Sequence, residues 1–349
     1  MKPDPADPCD PAGPAGGADL AGPAGGAVPF AWARERAALA EVLVALGRQV
    51  RRAVCRELAA APEPGSPGLA EVVRIEGGDH IFAVDEVADQ LLVAALGPEG
   101  SVGRRWSGRW WMEGFEQPLP VGDGSGPWRF LCDPLDGTRP LLAEKRSAWV
   151  LIGAGRHATT LEELELSVVV EVPTRRAAWA LTAWADRDAT LVVEDEELLT
   201  GRRRSVRLQP RSGSDLDHSF VTVVRFGPGS GESIGRWADH HLAGLKTFDD
   251  LVPCTGGQLM GLASGADAAV FDPRPLLAPG TMAAHPYDLA GLWVARAAGA
   301  VIEAIPSGPL DVPLGVDQPV AWAGFANPTI AERLRVHHLA PQARPVPRP

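Results

Sequence analysis

Between residues 128 and 193 the sequence sets down five short apolar runs, at 128–132, 149–153, 166–172, 177–183 and 190–193, with polar segments between them. Runs of this length, rich in Val, Leu, Ile and Trp and bounded by turn residues, read as strands. Most connections are too short for a helical crossover, so neighbours should pair antiparallel. A sheet of this kind needs a cover. Residues 34–61 supply one, because Leu39, Leu43, Leu46, Val50, Val54 and Leu58 recur at spacings of three and four and form an apolar helical stripe. Pro62, Pro64, Gly65 and Pro67 close that helix. A second helix is expected over 85–96, with Val87, Leu91 and Ala95 on one face. Later strands are expected at 220–225 and 268–271, and helices at 232–244, 256–264 and 286–299. The first part is thus antiparallel and the later part more α/β in character.

Residues 1–30 contain little but Pro, Ala, Gly and Asp, and AGPAGGA occurs at 12–18 and again at 21–27. Such a segment has almost nothing to bury and is expected to be disordered. The polar stretch 200–217 reads as a seam between lobes. The expected organisation is a tail at 1–30, an N-terminal α+β lobe at 31–205 and a C-terminal α/β lobe at 206–340.

The formal net charge of the 349-residue chain is −11. That argues against nucleic-acid binding, which needs a basic footprint. An acidic protein that handles an anion must bring positive charge locally, and bound divalent cations are one means. The four cysteines (Cys9, Cys55, Cys132, Cys254) are far apart and show no CxxC pair, which points to reduced thiols rather than disulfides or a zinc cage. No apolar run approaches membrane-spanning length, and the N-terminus lacks the pattern of a signal peptide, so a cytoplasmic location is expected.

Chemistry concentrates in 128–138, WRFLCDPLDGT. An apolar strand ends at Asp133, Pro134 forces a turn, and Asp136, Gly137 and Thr138 follow. Such a turn can aim two carboxylates and the carbonyl of Leu135 at one point, the all-oxygen setting that hard cations prefer. Gly137 permits close backbone approach, and its N–H with that of Thr138 could hold a phosphate oxygen. Taken alone, DPxDG is equally an ordinary Asp-Pro turn. Three further acids shift the balance. Asp85, in GDHIFAVDEVADQLL, stands where an extended piece meets a helix; it either caps that helix or serves chemistry, and Ala88 three residues on gives it no capping box. Glu113, in RWWMEGFE, is a surface acid on the plainest reading. Asp288, in HPYDLAGLWVARAAGAVI, lies in the first turn of an apolar helix, where an acid complements the helix dipole. Ala290 and Gly291 behind it allow close packing against a sheet.

These residues resemble a family. DPLDGT is similar to the D-P-x-D-G-T signature of the inositol-monophosphatase-like, lithium-sensitive phosphatases, and PYDLAG resembles their W-D-x-A-[AG]-G element. Asp85 matches the acid of an extended T-x-x-D stretch. Glu113 matches the first acid of G-E-E, 20 residues before Asp133 as in that family. CTGGQLMGLASGADAAVF resembles the stretch that opens the family's second lobe. The resemblance implies a layered αβαβα sugar-phosphatase sandwich with two lobes. It implies a phosphoric monoester hydrolase that attacks a small phosphate ester with a metal-activated water. Two or three Mg²⁺ ions would be held by Glu113, Asp133, Asp136, Asp288 and the Leu135 carbonyl. Asp85, Thr138 and Glu113 are the implied catalytic residues, and Gly137, Thr138, Thr255, Gly256 and Asp288 the substrate contacts. A homodimer is common in the family; neither nucleic acid nor membrane is an implied partner.

The departures have places too. Gly114 stands for the second Glu of G-E-E, Arg139-Pro140 replaces an aromatic-rich stretch, Tyr287 replaces Trp, RAAGA lacks the acid of E-A-G-G, and 272–285 is an insertion. They spare the metal ligands and fall where substrate contacts lie, so the implied substrate stays open among inositol phosphates, sugar phosphates and bisphosphates, histidinol phosphate and phosphonucleotides. The alternative from another class is a catalytically silent phosphatase-fold protein that binds a metabolite or a protein partner. Other signals read as structural: His240-His241 and His337-His338 lack metal-ligand spacing, GDGSG at 122–126 lacks a following GK[ST], and Cys254 lacks a histidine partner. Lys145 and Arg146 either bind an anionic substrate or pair with Glu144 or another surface acid.

Overall fold

All five runs are strands, and they pair as neighbours. The computed structural model describes residues 30–61, 68–76, 79–226 and 229–337. Its elements begin with α1 (Phe30–Ala60), β1 (Val72–Glu76), β2 (Asp79–Phe82), α2 (Ala83–Leu96), β3 (Gly108–Met112), β4 (Leu119–Val121), β5 (Trp128–Asp136) and α3 (Thr138–Leu142). There follow β6 (Ala148–Arg156), β7 (Leu166–Val172), β8 (Trp179–Asp186), β9 (Leu191–Glu197), β10 (Arg203–Ser205), β11 (Phe220–Val223), α4 (Gly231–His241) and α5 (Thr255–Ser264). The chain closes with β12 (Asp267–Asp272), α6 (Arg274–Leu277), α7 (Leu292–Ala298), β13 (Val301–Ala304), β14 (Trp322–Phe325) and α8 (Pro328–Leu334). The expected tail, Phe30 apart, lies outside the described residues, as do the prolines expected to close α1 and His338.

Among the described residues there is an eight-stranded sheet in the order β10-β9-β8-β7-β6-β5-β3-β4, a four-stranded sheet in the order β11-β12-β14-β13, and the β1–β2 hairpin. From β5 to β10 each strand is antiparallel to the next. Two pairs are parallel, β3 with β5 and β11 with β12.

The layers follow from the alternation of side chains along each strand. Phe130, Cys132, Val150, Ile152, Val168 and Val170 point to one face of the large sheet and are buried with Leu39, Leu43, Val50 and Val54 of α1 and Val84, Ala88 and Leu92 of α2. Leu131, Leu151 and Val169 point to the other face and are buried with Leu259 and Leu262 of α5, Leu292 and Ala295 of α7, and Val270, Ile302 and Trp322 of the small sheet. Val221, Phe271, Ala323 and Phe325 face outward from the small sheet onto Ile234 and Trp237 of α4 and Ile330 and Leu334 of α8. The result is the expected αβαβα sandwich. Both faces of the central strands are covered, which is why they read as continuous apolar runs. All six apolar positions anticipated on α1 are buried. That helix also carries buried Arg36 and Arg51, which reach acids beyond the apolar face: Asp188 and Glu196 respectively. A buried guanidinium needs such a partner.

The polar stretch 200–217 carries β10 at the edge of the large sheet, paired with β9. Three expectations are corrected. The buried stripe of α2 is Val84, Ala88, Leu92 and Ala95, with Val87 and Leu91 at its flanks, because the helix starts at Ala83 and turns a different face inward. Residues 286–299 are not one helix: a 3₁₀ turn, Pro286–Leu289, precedes α7, and Ala290-Gly291 separates them. The strand of the DPLDGT segment does not end at a proline turn, as the site shows next.

Candidate metal centre

Strand β5 runs on through Pro134 to Asp136. Its register against β6 shifts: Asp133 faces Leu151 and Asp136 faces Trp149, three residues on one strand against two on the other. In a regular strand residues i and i+3 point to opposite faces. The extra residue of this bulge cancels the reversal, so both carboxylates point to the face covered by α5 and α7. Pro134, which has no N–H to donate, is tolerated within the bulge. The expected turn is thus a bulged strand, and the convergence it was meant to explain is still achieved. The N–H of Leu135 donates to Asp133 Oδ1 at 2.9 Å. The Leu135 carbonyl lies 2.8 Å from Thr138 Oγ1.

Parallel pairing brings up Glu113. β3 lies beside β5 with Gly108 opposite Trp128 and Met112 opposite Cys132, a constant offset of 20. Glu113, one residue past β3, therefore lies beside Asp133, and its N–H donates to the Cys132 carbonyl at 3.1 Å. The chain then turns at Gly114, with φ +81°, a conformation that favours glycine over the family's glutamate. Arg74 of β1 donates to the Gly114 carbonyl and to Asp89, each at 3.3 Å.

Asp288 comes from the 3₁₀ turn ahead of α7, where its Oδ2 accepts from the His285 N–H at 2.7 Å. Tight packing seats this turn on the sheet. The Ala290 carbonyl accepts from Ser167 Oγ at 2.6 Å, and a Cβ on Gly291 would come within 2.8 Å of Val169. The small pair Ala290-Gly291 performs the close packing anticipated for it.

Asp133, Asp136 and Asp288 each present an oxygen within 4.8 Å of the others. Asp133 and Asp136 are buried, Asp288 partly so. Burial pushes the Asp133 carboxyl well above the usual carboxylate range, and the charges of Glu113, Asp136 and Asp288 push it further. Burial likewise raises Asp136, to about 6, against hydrogen bonds from Gly256, Cys254 and Thr255 that favour its charged form. These acids cannot all ionise cheaply on their own, whereas a divalent cation among them reverses the balance. Three hard oxygen donors with a fourth acid adjacent suit Mg²⁺ or a similar ion.

The N-terminus of α5 orients Asp136. Gly256 N–H donates to its Oδ2 at 2.5 Å, and the Cys254 thiol lies 3.3 Å from the same oxygen. A Cβ on Gly256 would stand 3.0 Å from that oxygen and from Leu151 and Trp149. Gly137 has φ +92°, and a Cβ there would stand 2.8 Å from Cys254 Sγ, so glycine is required twice over. The Cys254 thiol is held far above its usual pKa, mainly by burial and then by Asp136, which makes it inert as a nucleophile. Thr255 is buried in the same turn. Of the anticipated substrate contacts, Gly256 thus has its N–H engaged with Asp136, while Gly137 and Thr138 form the start of α3.

Asp85 stands in the first turn of α2. Its Oδ2 accepts from Phe82 N–H at 2.7 Å, closing the helix start, and its Oδ1 accepts from Thr138 Oγ1 at 2.6 Å. It therefore caps the helix and reaches the DPLDGT segment at once. Helix starts at α2, α5 and the turn before α7, and strand ends at β3 and β5, place every anticipated site residue in one region. Sequence reasoning missed Cys254 and His285 as neighbours of the acids. A thiol at a helix N-cap and a histidine three residues before Asp288 were visible, but nothing in their spacing announced the contact.

The geometry defines a class: a sugar-phosphatase-type sandwich with an acidic centre where its layers meet. No model of a known protein family matches the sequence, and no curated protein matches it. Solved structures do. A Leishmania major fructose-1,6-bisphosphatase superposes with TM-score 0.62 at 11% identity, covering 84% of this chain and 91% of that one. The extragenic suppressor protein SuhB of Bartonella henselae gives 0.58 at 16%, covering 85% and 96%. The MJ0109 gene product, described as an inositol monophosphatase–fructose 1,6-bisphosphatase, gives 0.58 at 14%, covering 84% and 96%. The chain has an inositol-monophosphatase-like fold. Among the described residues no helix is long and apolar enough to cross a membrane.

Proposed function

We propose that this protein is a Mg²⁺-dependent phosphomonoesterase that hydrolyses a small phosphorylated metabolite of the inositol or sugar phosphate type by direct attack of water. The observation that carries this reading is the meeting of Asp133, Asp136 and Asp288 within 4.8 Å. Glu113, Asp133, Asp136, Asp288 and the Leu135 carbonyl are the groups that would hold the cations. Cations held there would neutralise the phosphate dianion and acidify a water molecule.

The chain's own groups supply the positioning on which phosphoryl transfer mainly depends. Thr138 donates its one hydroxyl proton to Asp85, whose charge makes it the stronger acceptor over the Leu135 carbonyl. The lone pairs of Thr138 Oγ1 then accept from the attacking water and aim it at phosphorus. As the water loses its proton to Thr138, Thr138 passes its own to Asp85; the bond from water oxygen to phosphorus forms as the ester P–O bond breaks, and the departing alkoxide takes a proton from solvent. The N–H groups of Gly137 and Thr138 hold a phosphoryl oxygen. In this reading the site opens between an N-terminal lobe, 31–205, and a C-terminal lobe, 206–340.

The test is phosphate release by the purified protein from a panel of sugar and inositol phosphates, with and without Mg²⁺. Release should require the metal and fall to background in Asp133→Asn. A variant with wild-type turnover would refute the assignment. The alternative, a silent binder, draws on Gly114 in place of a family acid; it predicts stabilisation by metal with no turnover on any ester.

A further inference from the structure

We infer that a cleft beside this centre receives a second anionic group of the substrate, and that Lys145 is the residue that selects for it. The inference rests on the phosphomonoesterase reading and adds a substrate class to it: monoesters that carry a carboxylate or a second phosphoryl group on an apolar or ring-bearing body.

The cleft has a volume of about 490 Å³ and is lined by Pro140, Lys145, Arg146, Leu251 and Pro253. That size and that mixture, apolar walls with a few polar groups, suit a small organic ligand. Its walls come from the two segments that hold the proposed phosphate end. Pro140 is two residues beyond Thr138, and Pro253 is two residues before Thr255. The cleft is thus walled by the sequence neighbours of the proposed phosphate end, and we place the rest of the substrate against these walls.

Charge accounting singles out one residue. Three consecutive charged side chains, Glu144, Lys145 and Arg146, follow α3. Glu144 is taken by Arg175 at 2.7 Å. Arg146 is taken by Asp250. Lys145 is exposed at the cleft and forms no ion pair with any acid among the described residues. The pairing with Glu144 or another surface acid that the sequence left open is thus not made among the described residues. In a protein of net charge −11, an unanswered ammonium in a cleft beside a cluster of acids is the group an incoming anion meets. A flexible lysine accommodates carboxylate or phosphoryl groups alike, as a point charge.

The test uses matched pairs of esters that differ in one anionic group: phenyl phosphate against 4-carboxyphenyl phosphate, and a hexose monophosphate against the bisphosphate of the same hexose. The wild type should favour the anionic member of at least one pair by about fivefold to tenfold in kcat/KM, mostly through KM, and the preference should shrink as salt is raised. Lys145→Met should bring that ratio near one, Lys145→Glu should invert it, and Lys145→Arg should restore most of it. Turnover with ratios that Lys145→Met leaves unchanged overturns the role of Lys145 and leaves the phosphatase reading standing. No phosphate release from any ester with Mg²⁺ present overturns both.

Discussion

Replacing Asp136 with asparagine should abolish metal binding and yet make the metal-free protein more stable. Burial raises the Asp136 carboxyl from its ordinary 3.8 to about 6. The folded value lies above the unfolded one, so the charged form is the one the fold disfavours. The cost is absent below about pH 4, grows between about 4 and 6, and is complete above about 6. A rise of about two units corresponds to about 3 kcal/mol at 1.36 kcal/mol per unit. Asparagine never carries the charge, and its amide oxygen can still accept from Gly256 N–H and Cys254. In chelator at about pH 8 the variant should gain up to about 3 kcal/mol, on the order of 5 °C in Tm for a chain of this size. At about pH 4 the difference should vanish. Saturating Mg²⁺ should reverse the order, because ligand binding stabilises only the protein that binds it. Differential scanning calorimetry at two pH values, with chelator or Mg²⁺, reads all four conditions. A variant less stable than wild type in chelator at about pH 8, or one that Mg²⁺ stabilises as fully as wild type, refutes the reasoning.

Two other outcomes follow from the same geometry. Gly137→Ala places a Cβ 2.8 Å from Cys254 Sγ on a backbone at φ +92°; urea unfolding should show a loss of about 1–3 kcal/mol, and Cys254→Gly in the same chain should recover the steric part. Thr138→Val removes the donor of the 2.6 Å link between those side chains, and Asp85→Asn leaves an acceptor that carries no charge and cannot take the proton. Each should lower kcat by about 10²–10⁴-fold, with Mg²⁺ affinity from calorimetric titration changed far less, and the double variant should be little worse than either single one.

Much of the architecture was legible because its signals were strong and local. The stripe of α1 and the runs that became β5–β9 are long, bulky and periodic, so burial could be read from spacing alone. β13 and β14 escaped because Val301–Ala304 and Trp322–Phe325 are short and rich in small residues, and only pairing within the small sheet makes them strands. β3 escaped because its position is set by parallel pairing with β5, a long-range fact. The site shows the same division. Asp133 and Asp136 stood out by spacing, but the device that unites them is a bulge against β6, which no local pattern prescribes. Asp288 and Glu113 became candidates through family resemblance and gained a physical account only from the register of β3 and the packing of Ala290-Gly291. The contacts of Cys254 and Arg74 were not legible because their partners, Asp136 and the Gly114 carbonyl, are distant in sequence.

In the proposed site, three aspartates brought together by a bulged strand and a 3₁₀ turn hold a divalent cation for phosphate chemistry. Anomalous scattering from crystals soaked in Mn²⁺, a stand-in for Mg²⁺ with similar oxygen preference, tests it at the level of atoms. A peak at about 2.0–2.3 Å from oxygens of Asp133, Asp136 and Asp288 is the predicted result. Crystals with no peak at these carboxylates, or with manganese only elsewhere on the acidic surface, would contradict it.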